Sequence, residues 1–491
     1  VTINFGGFTY TINQAVGSTG TESQGFQLLK NNTVTLKNGT IDIVAGTNVK
    51  WMFNAYADVT LENLNVNCAN MAAPAENEAN YVLVVNNGGS ATPTVTYTNV
   101  IVTNFPSTAT AQIWLDPTTT LKAGAGLESS IETEEGYVVV YNNGEYTAIG
   151  AVAKIGEAIY PSVAAAVAAA QAGDVIELLV NVTEDVTVNK SVIIDGANFQ
   201  YTGNISVSGN TTAITVKNVN FVNGTGYAIT TNRIKSVTVE NCTVTNYGYG
   251  FLYANKSTPT VVVKNVTVEG GNYGFHWVYG TTATLENVTM TNVTYGLYIQ
   301  NYAGKAINVK NSTISSIAIW ERSGSSGVQT FNFEGANTVG TLTSSQYAKY
   351  VLAAADATLT APEGFNVTTS VENSLVKYVD GAYKVVPAVA KIGDVTYKFL
   401  HEAFDAAQDG DEIVVLKDIV LTEGITVAAD DNMTLDLNGK TISMQDASGK
   451  AAYAIKNNGS LTIKDTAEDG KITFNSTTPD NNPVPGYSTS T

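Results

Sequence analysis

The sequence predicts an all-β chain made of right-handed parallel β-helix units in tandem, each opened by a short amphipathic cap helix. Three observations predict it. A long segment recurs once at a spacing of 237 residues. A shorter pattern centred on Asn recurs at one β-helical coil. Thr and Val, which favour strands, are mixed throughout with Asn and Gly, which favour turns.

The long repeat fixes the tandem units. Residues 151–174 read AVAKIGEAIYPSVAAAVAAAQAGD and residues 388–411 read AVAKIGDVTYKFLHEAFDAAQDGD. The lead-in recurs too: Tyr141, Gly144 and Tyr146 match Tyr378, Gly381 and Tyr383. Val163, Ala166, Val167 and Ala170 fall on one helical face, as do Leu400, Ala403, Phe404 and Ala407. Gly173 and Gly410 follow as left-handed stop signals, and apolar strands begin at Val175 and Ile413. Each helix is expected to cover the open end of its first coil. VTINFGGFTYT from Val1, VIIDGANFQYT from Val192 and MTLDLNGKTIS from Met433 read as the same first coil in three copies. The expected organisation is a unit without its cap at 1–150, a complete unit at 151–387, and a cap with first coils at 388–491. One explanation is a window on a longer array, with flanking β-helix units on either side. The other is head-to-tail self-assembly, the partial unit of one molecule meeting that of the next.

Within the middle unit the coil pattern aligns on Asn218, Asn241, Asn265, Asn287 and Asn311, at spacings of 23, 24, 22 and 24. Inward residues stand two before and, in most coils, one after each Asn, so strand alternation breaks there and the Asn must be a tight bend. Asn tolerates left-handed backbone better than other non-glycine residues. The five amides are expected to form a ladder. Just before them come Lys217, Glu240, Lys264, Glu286 and Lys310, an outward column of alternating charge.

The cap followed by Asn-bend coils resembles the pectate-lyase-like right-handed parallel β-helix superfamily. The tandem units resemble the β-helix repeats of large bacterial surface and adhesin-like proteins. The resemblance implies a fold over nearly the whole chain but no single function. Polysaccharide lyases and hydrolases share the fold. Arg233-Ile234-Lys235 matches a hydrolase triplet, yet the paired aspartates and His-Gly that accompany it are missing upstream. The other Arg, Arg322, also lacks a carboxylate cluster. His276 and His401 are the only histidines, and neither has a second His or Cys at metal spacing. No catalytic residue, metal site or cofactor is therefore predicted. Asp409, Asp411, Asp430 and Asp431 read as solvated loop charges, and the two cysteines, Cys68 and Cys242, form no disulfide framework.

A formal net charge of −18 argues against nucleic acid or anionic membrane as partner. No apolar run is long enough for a membrane span. Aromatics recur after each Asn: Tyr249, Tyr273 and Tyr295, with His276 and Trp277 beside them. These are the candidate contacts for host or environmental glycans, although the Tyr column is expected to lie inside as an interior stack. The sequons at Asn241, Asn265, Asn287 and Asn311 are expected to be engaged as bends. The expectation is an extracellular or cell-surface protein, a rod-like stalk, filament or adhesin segment without catalysis. The alternatives are a polysaccharide-active enzyme or glycan-binding module on the same fold, and a viral fibre component.

Overall fold

The computed structural model describes residues 1–20, 22–74, 78–88, 92–106, 111–254, 260–278, 282–300, 305–320, 327–343, 346–446 and 453–476. Arg322 lies outside these residues. The chain is almost entirely β. Among the described residues the two α-helices are α1 (Val163–Ala169) and α2 (Leu400–Ala406). The strands lie in long parallel sheets, an arrangement compatible with a β-solenoid. Contacts divide the chain into two compact units. One is Val1–Tyr201 with Val216–Val219, and the other is Thr202–Thr215 with Asn220–Thr491.

In the first unit, Thr33–Ile43, Asp58–Asn67, Thr94–Thr103 and Thr120–Lys122 pair in parallel, one after the other. Gln24–Leu28, Trp51–Ala55, Tyr81–Val85 and Ile113–Leu115 form a second parallel sheet. Each rung adds one strand to each sheet. Leu36, Leu61, Phe53 and Leu83 are among the side chains that close the core. The parallel stack ends in an antiparallel hairpin, Tyr137–Asn142 with Glu145–Gly150, whose second strand lies against Thr120–Lys122.

That hairpin and the cap after it recur in the second unit with the same bonding. Ser374–Val379 and Ala382–Pro387 form the hairpin, and its second strand lies antiparallel on Thr358–Thr360. In the first unit the buried Tyr146 hydroxyl accepts from Leu127 N and donates to Gly124 O, both at 3.0 Å. In the second, Tyr383 accepts from Phe365 N at 2.8 Å and donates to Pro362 O at 3.2 Å. α1 buries Val163, Ala166 and Val167, and α2 buries Leu400, Ala403 and Phe404. Ser162 Oγ accepts from Ala165 N at 3.0 Å, and the Glu184 carboxylate accepts from Val163 N and Ala164 N. The helices stop earlier than the glycines suggest, at C-caps Ala170 and Ala407. Gly173 (φ +96°) and Gly410 (φ +86°) lie in the turns beyond. There Gln171 N donates to Asp174 and Gln408 N to Asp411. Asp409 and Asp431 are similarly engaged, accepting from Asn432 Nδ2 and Ala428 N.

The three first-coil segments share one tight turn. Paired left-handed residues stand at Gly6 and Gly7, at Ala197 and Asn198, and at Asn438 and Gly439. Phe5 N, Gly196 N and Leu437 N donate to Lys37 O, Lys217 O and Lys464 O, each onto the next rung.

In the second unit, Ser236–Thr245, Thr260–Glu269 and Thr282–Thr291 pair in parallel over nearly their whole length. Each is bent at its Asn. Asn218, Asn241, Asn265, Asn287 and Asn311 have φ of 54°, 53°, 53°, 54° and 48°. Asn287 Nδ2 donates to Asn265 Oδ1, and Asn265 Nδ2 to Asn241 Oδ1, each at 2.9 Å. Within the first unit Asn218 donates to Asp195 at 3.0 Å. Asn311 Oδ1 accepts instead from Ala336 N at 3.1 Å. A second left-handed column stands five residues on, at Asn223, Asn246, Gly270 and Asn292. Between and beside the bends the core is apolar. Val261, Val263, Val266 and Val268 of one rung are all buried, each contributing about 1.5–3 kcal/mol.

The charge column is shorter than the sequence predicts. Glu286 pairs with Lys264 at 3.6 Å and with Lys310 at 3.9 Å. Lys217 pairs with Asp195 at 3.1 Å. Glu240 stands opposite Lys264 in register, but no ion pair involves it among the described residues. Exposed pairs of this kind add about 0.2–1 kcal/mol each, so the column tunes register more than it holds the fold. Cys68 and Cys242 are both buried and neither forms a disulfide among the described residues.

The bend predicts a substitution pattern. Asn265→Ala should lower the denaturation midpoint, because a left-handed Ala costs about 1–2 kcal/mol and the ladder amide is lost. Asn265→Gly should lose only the amide and recover part of the deficit. Equal destabilisation by Ala and Gly in a urea titration would show that backbone conformation is not what the Asn supplies.

Candidate functional site: an exposed tyrosine face

The second sheet of the second unit contains Ile205–Ser208, Tyr227–Asn232, Gly250–Ala254, Tyr273–Trp277, Tyr295–Gln300 and Ile317–Trp320, all parallel. Strict alternation from the Tyr positions puts Tyr249, Tyr273 and Tyr295 on the same side as Phe251, Phe275 and Leu297. The structure separates them. Phe251, Phe275 and Leu297 are buried, while Tyr249 is 57% and Tyr295 39% exposed and Tyr273 is half-buried. The expected interior tyrosine stack is therefore an outward one.

The reason lies in the glycine after each tyrosine. Gly250 has φ +151°, and a Cβ there would stand 1.8 Å from Tyr273 O. A Cβ on Gly274 would meet Gly296 O at 2.6 Å and Met290 Sδ at 2.7 Å. Only glycine lets the backbone approach so closely. At these points the strand changes face, so Tyr turns out and Phe or Leu two residues later turns in. Trp277 is fully buried, in register with Ala254 and Ile299. It belongs to the core and not to any surface contact, and its indole N–H has no hydrogen-bond partner among the described residues.

His276 stays with the tyrosines. It lies in register between Tyr253 and Tyr298, one column beside the Tyr273 column. The structure places Tyr227, Tyr253 and Tyr298 on the face as well. The Tyr-Gly pairs at 249–250, 273–274 and 295–296 were the signal that the column turns outward. Successive rings stack on each other. Tyr273 and Tyr295 lie 5.5 Å apart at 18°, Tyr227 and Tyr249 5.8 Å at 23°, and Tyr227 and Tyr253 4.9 Å at 18°. Tyr298 tilts across them, 53° from Tyr273 and 54° from Tyr295. The Tyr227 hydroxyl is 2.8 Å from His276 Nδ1. Burial lowers the His276 pKa and keeps the imidazole neutral near pH 7. Burial, then the neighbouring Tyr273, Tyr253 and Tyr249, push the Tyr227 phenol up. The face is thus neutral, amphipathic and held rigid by ring contacts.

The other candidates do not converge with it. Arg233 is exposed at φ +53° and Ile234 is buried, which places the triplet at a bend between strands. His401 is exposed on α2, its ring stacked on Phe399. Among the described residues no group of three or more His, Cys, Asp or Glu side chains is placed to hold a metal ion. No helix among them is long and apolar enough to cross a membrane. No known protein family matches the chain, and no curated protein is similar to it in sequence.

His276 gives a pH signature. A histidine whose pKa falls below 6.5 on folding binds fewer protons folded than unfolded. Its contribution is full above pH 6.5 and is lost as pH falls from there to the folded-state pKa. The melting temperature should drop over that window, and His276→Gln should flatten that part of the drop. An unchanged slope in the variant would rule out His276 as its source.

Proposed function

We propose that the chain is an extracellular, non-catalytic adhesive segment of right-handed parallel β-helix, of the pectate-lyase-like kind, that binds glycans through the tyrosine face. The observation that carries this reading is the outward ring cluster of Tyr227, Tyr249, Tyr273 and Tyr295 with Tyr298 and His276, in which Tyr227 stacks on both Tyr249 and Tyr273, and Tyr273 on Tyr295. A contiguous exposed aromatic patch on a folded protein marks an interaction surface. Tyrosines give it large contact area at low entropy cost, together with hydroxyls for hydrogen bonding. The repeated hairpin-and-cap seam supports a tandem rod, which suits projecting such a face from a cell. The setting of the Arg233 triplet, at a bend without a carboxylate pair, favours binding over hydrolysis.

Binding tests the proposal directly. The full chain should be retarded in gels containing soluble polysaccharide, and Tyr273→Ala with Tyr295→Ala should weaken retention about tenfold or more. Trp277→Phe should leave retention unchanged, since that ring is core. Incubation with the same polymers should release no new reducing or unsaturated ends. Release of such ends, lost on Arg233→Ala, would replace the binding role with a catalytic one.

A further inference from the structure

Resting on the glycan-binding reading, we infer that the ligand is an uncharged polysaccharide lying along the stack of rungs, recognised by the hydroxyl rim of the tyrosine ladder and not by ionic contacts. The first ground is charge. The four strands Tyr227–Asn232, Gly250–Ala254, Tyr273–Trp277 and Tyr295–Gln300 contain no Asp, Glu, Lys or Arg. The turns at 223–226, 246–249, 270–272 and 292–294 contain none either. These strands and turns therefore offer no cation to a uronate or sulfate; the exposed Arg233 and Lys235 stand beyond Asn232, past the strand end opposite the turns. The chain as a whole carries −18, which repels polyanions at long range. An acidic glycan would meet repulsion with no compensating pair.

The second ground is geometry. Because Tyr273 stacks on Tyr295 and Tyr227 on Tyr249, each ring presents much of its face to its neighbour in the stack. What remains for a ligand is ring edge and phenol hydroxyl, each hydroxyl both donor and acceptor. A purely apolar partner would leave these hydroxyls unpaired, whereas a polyol satisfies them. The rungs repeat at about 4.8 Å, so four of them offer a row of about 14 Å, the length of a short oligosaccharide. The row runs across the strands and so along the stack.

The experiment is affinity electrophoresis of the full chain in three polymers: a neutral β-glucan, a neutral xylan or mannan, and polygalacturonate. Each is run from about 0.01 M to about 1 M salt, a range over which exposed ionic attraction is screened out. The expected result is retention by at least one neutral polymer that does not change with salt, and none by polygalacturonate. Tyr273→Phe with Tyr295→Phe keeps the stack and removes two hydroxyls. It should weaken retention about tenfold, since each lost hydrogen bond counts singly. Unchanged strand circular dichroism and melting temperature in that variant establish that it folds. Retention by polygalacturonate that fades with salt would overturn the uncharged class while leaving the glycan-binding reading intact. Full retention in the Phe pair would overturn the hydroxyl rim. No retention by any of the three would defeat the glycan-binding reading itself, and this inference with it.

Discussion

The left-handed asparagine bend is the constraint on which the rest of the stack depends. At Asn241, Asn265 and Asn287 the backbone holds φ near +53°, and the side-chain amides of Asn265 and Asn287 each donate to the Asn one rung back. One residue thus meets two demands. It tolerates a conformation that costs other side chains about 1–2 kcal/mol, and it satisfies a polar group in the direction of growth. A slip of one residue would put an apolar side chain at the bend and reverse inside and outside along the strand. The bend therefore sets the register for the valines on either side, and through them for the strand that carries the tyrosines.

The first unit uses the same device, although its sequence hides it. Asn38, Asn63 and Asn99 have φ of 60°, 50° and 47°, and Asn63 and Asn99 donate back along the stack at 3.2 and 3.0 Å. Lys37 and Glu62 precede the first two, as in the middle repeat, and are paired in register. The spacing between Asn63 and Asn99 is 36 residues, because the turn between those rungs is longer. Periodicity searches lose a ladder when one loop lengthens, yet the hydrogen bond does not, since loops leave the stack without altering the strands they join.

The seams carry a different logic. A parallel stack cannot end on an open edge without leaving backbone groups and core exposed. At two places along the chain an antiparallel hairpin lies on the last strand of the preceding parallel run, and a buried tyrosine, Tyr146 or Tyr383, pins the preceding loop through two backbone bonds. The seven-residue cap helix follows and buries three apolar side chains. These joints explain why the 237-residue repeat is clearest there. Backbone N–H groups of these turns are held by side chains, Gln171 N by Asp174 and Gln408 N by Asp411, so sequence has little freedom there, whereas loops between rungs vary.

The sequence by itself determined the β class, the cap helices, the bends and the apolar positions beside them, because each rests on local chemistry: helical periodicity at Val163–Ala170, left-handed tolerance at Asn265, alternation at Val261 and Val263. It also marked Tyr249, Tyr273 and Tyr295 as a column. Only the tertiary structure decided which way that column faces. Alternation counts residues and assumes an unbroken pleat, but Gly250, Gly274 and Gly296 let the strand change face where neighbouring backbone and side chains crowd to within a Cβ's reach. That crowding comes from residues well along the chain, Tyr273 for Gly250, Gly296 for Gly274 and Ser316 for Gly296. It turned the tyrosines to solvent, sent Trp277 into the core, and gathered Tyr227, Tyr253, His276 and Tyr298 into one surface. Each outcome depends on what a neighbouring rung places opposite a residue, which no local pattern contains.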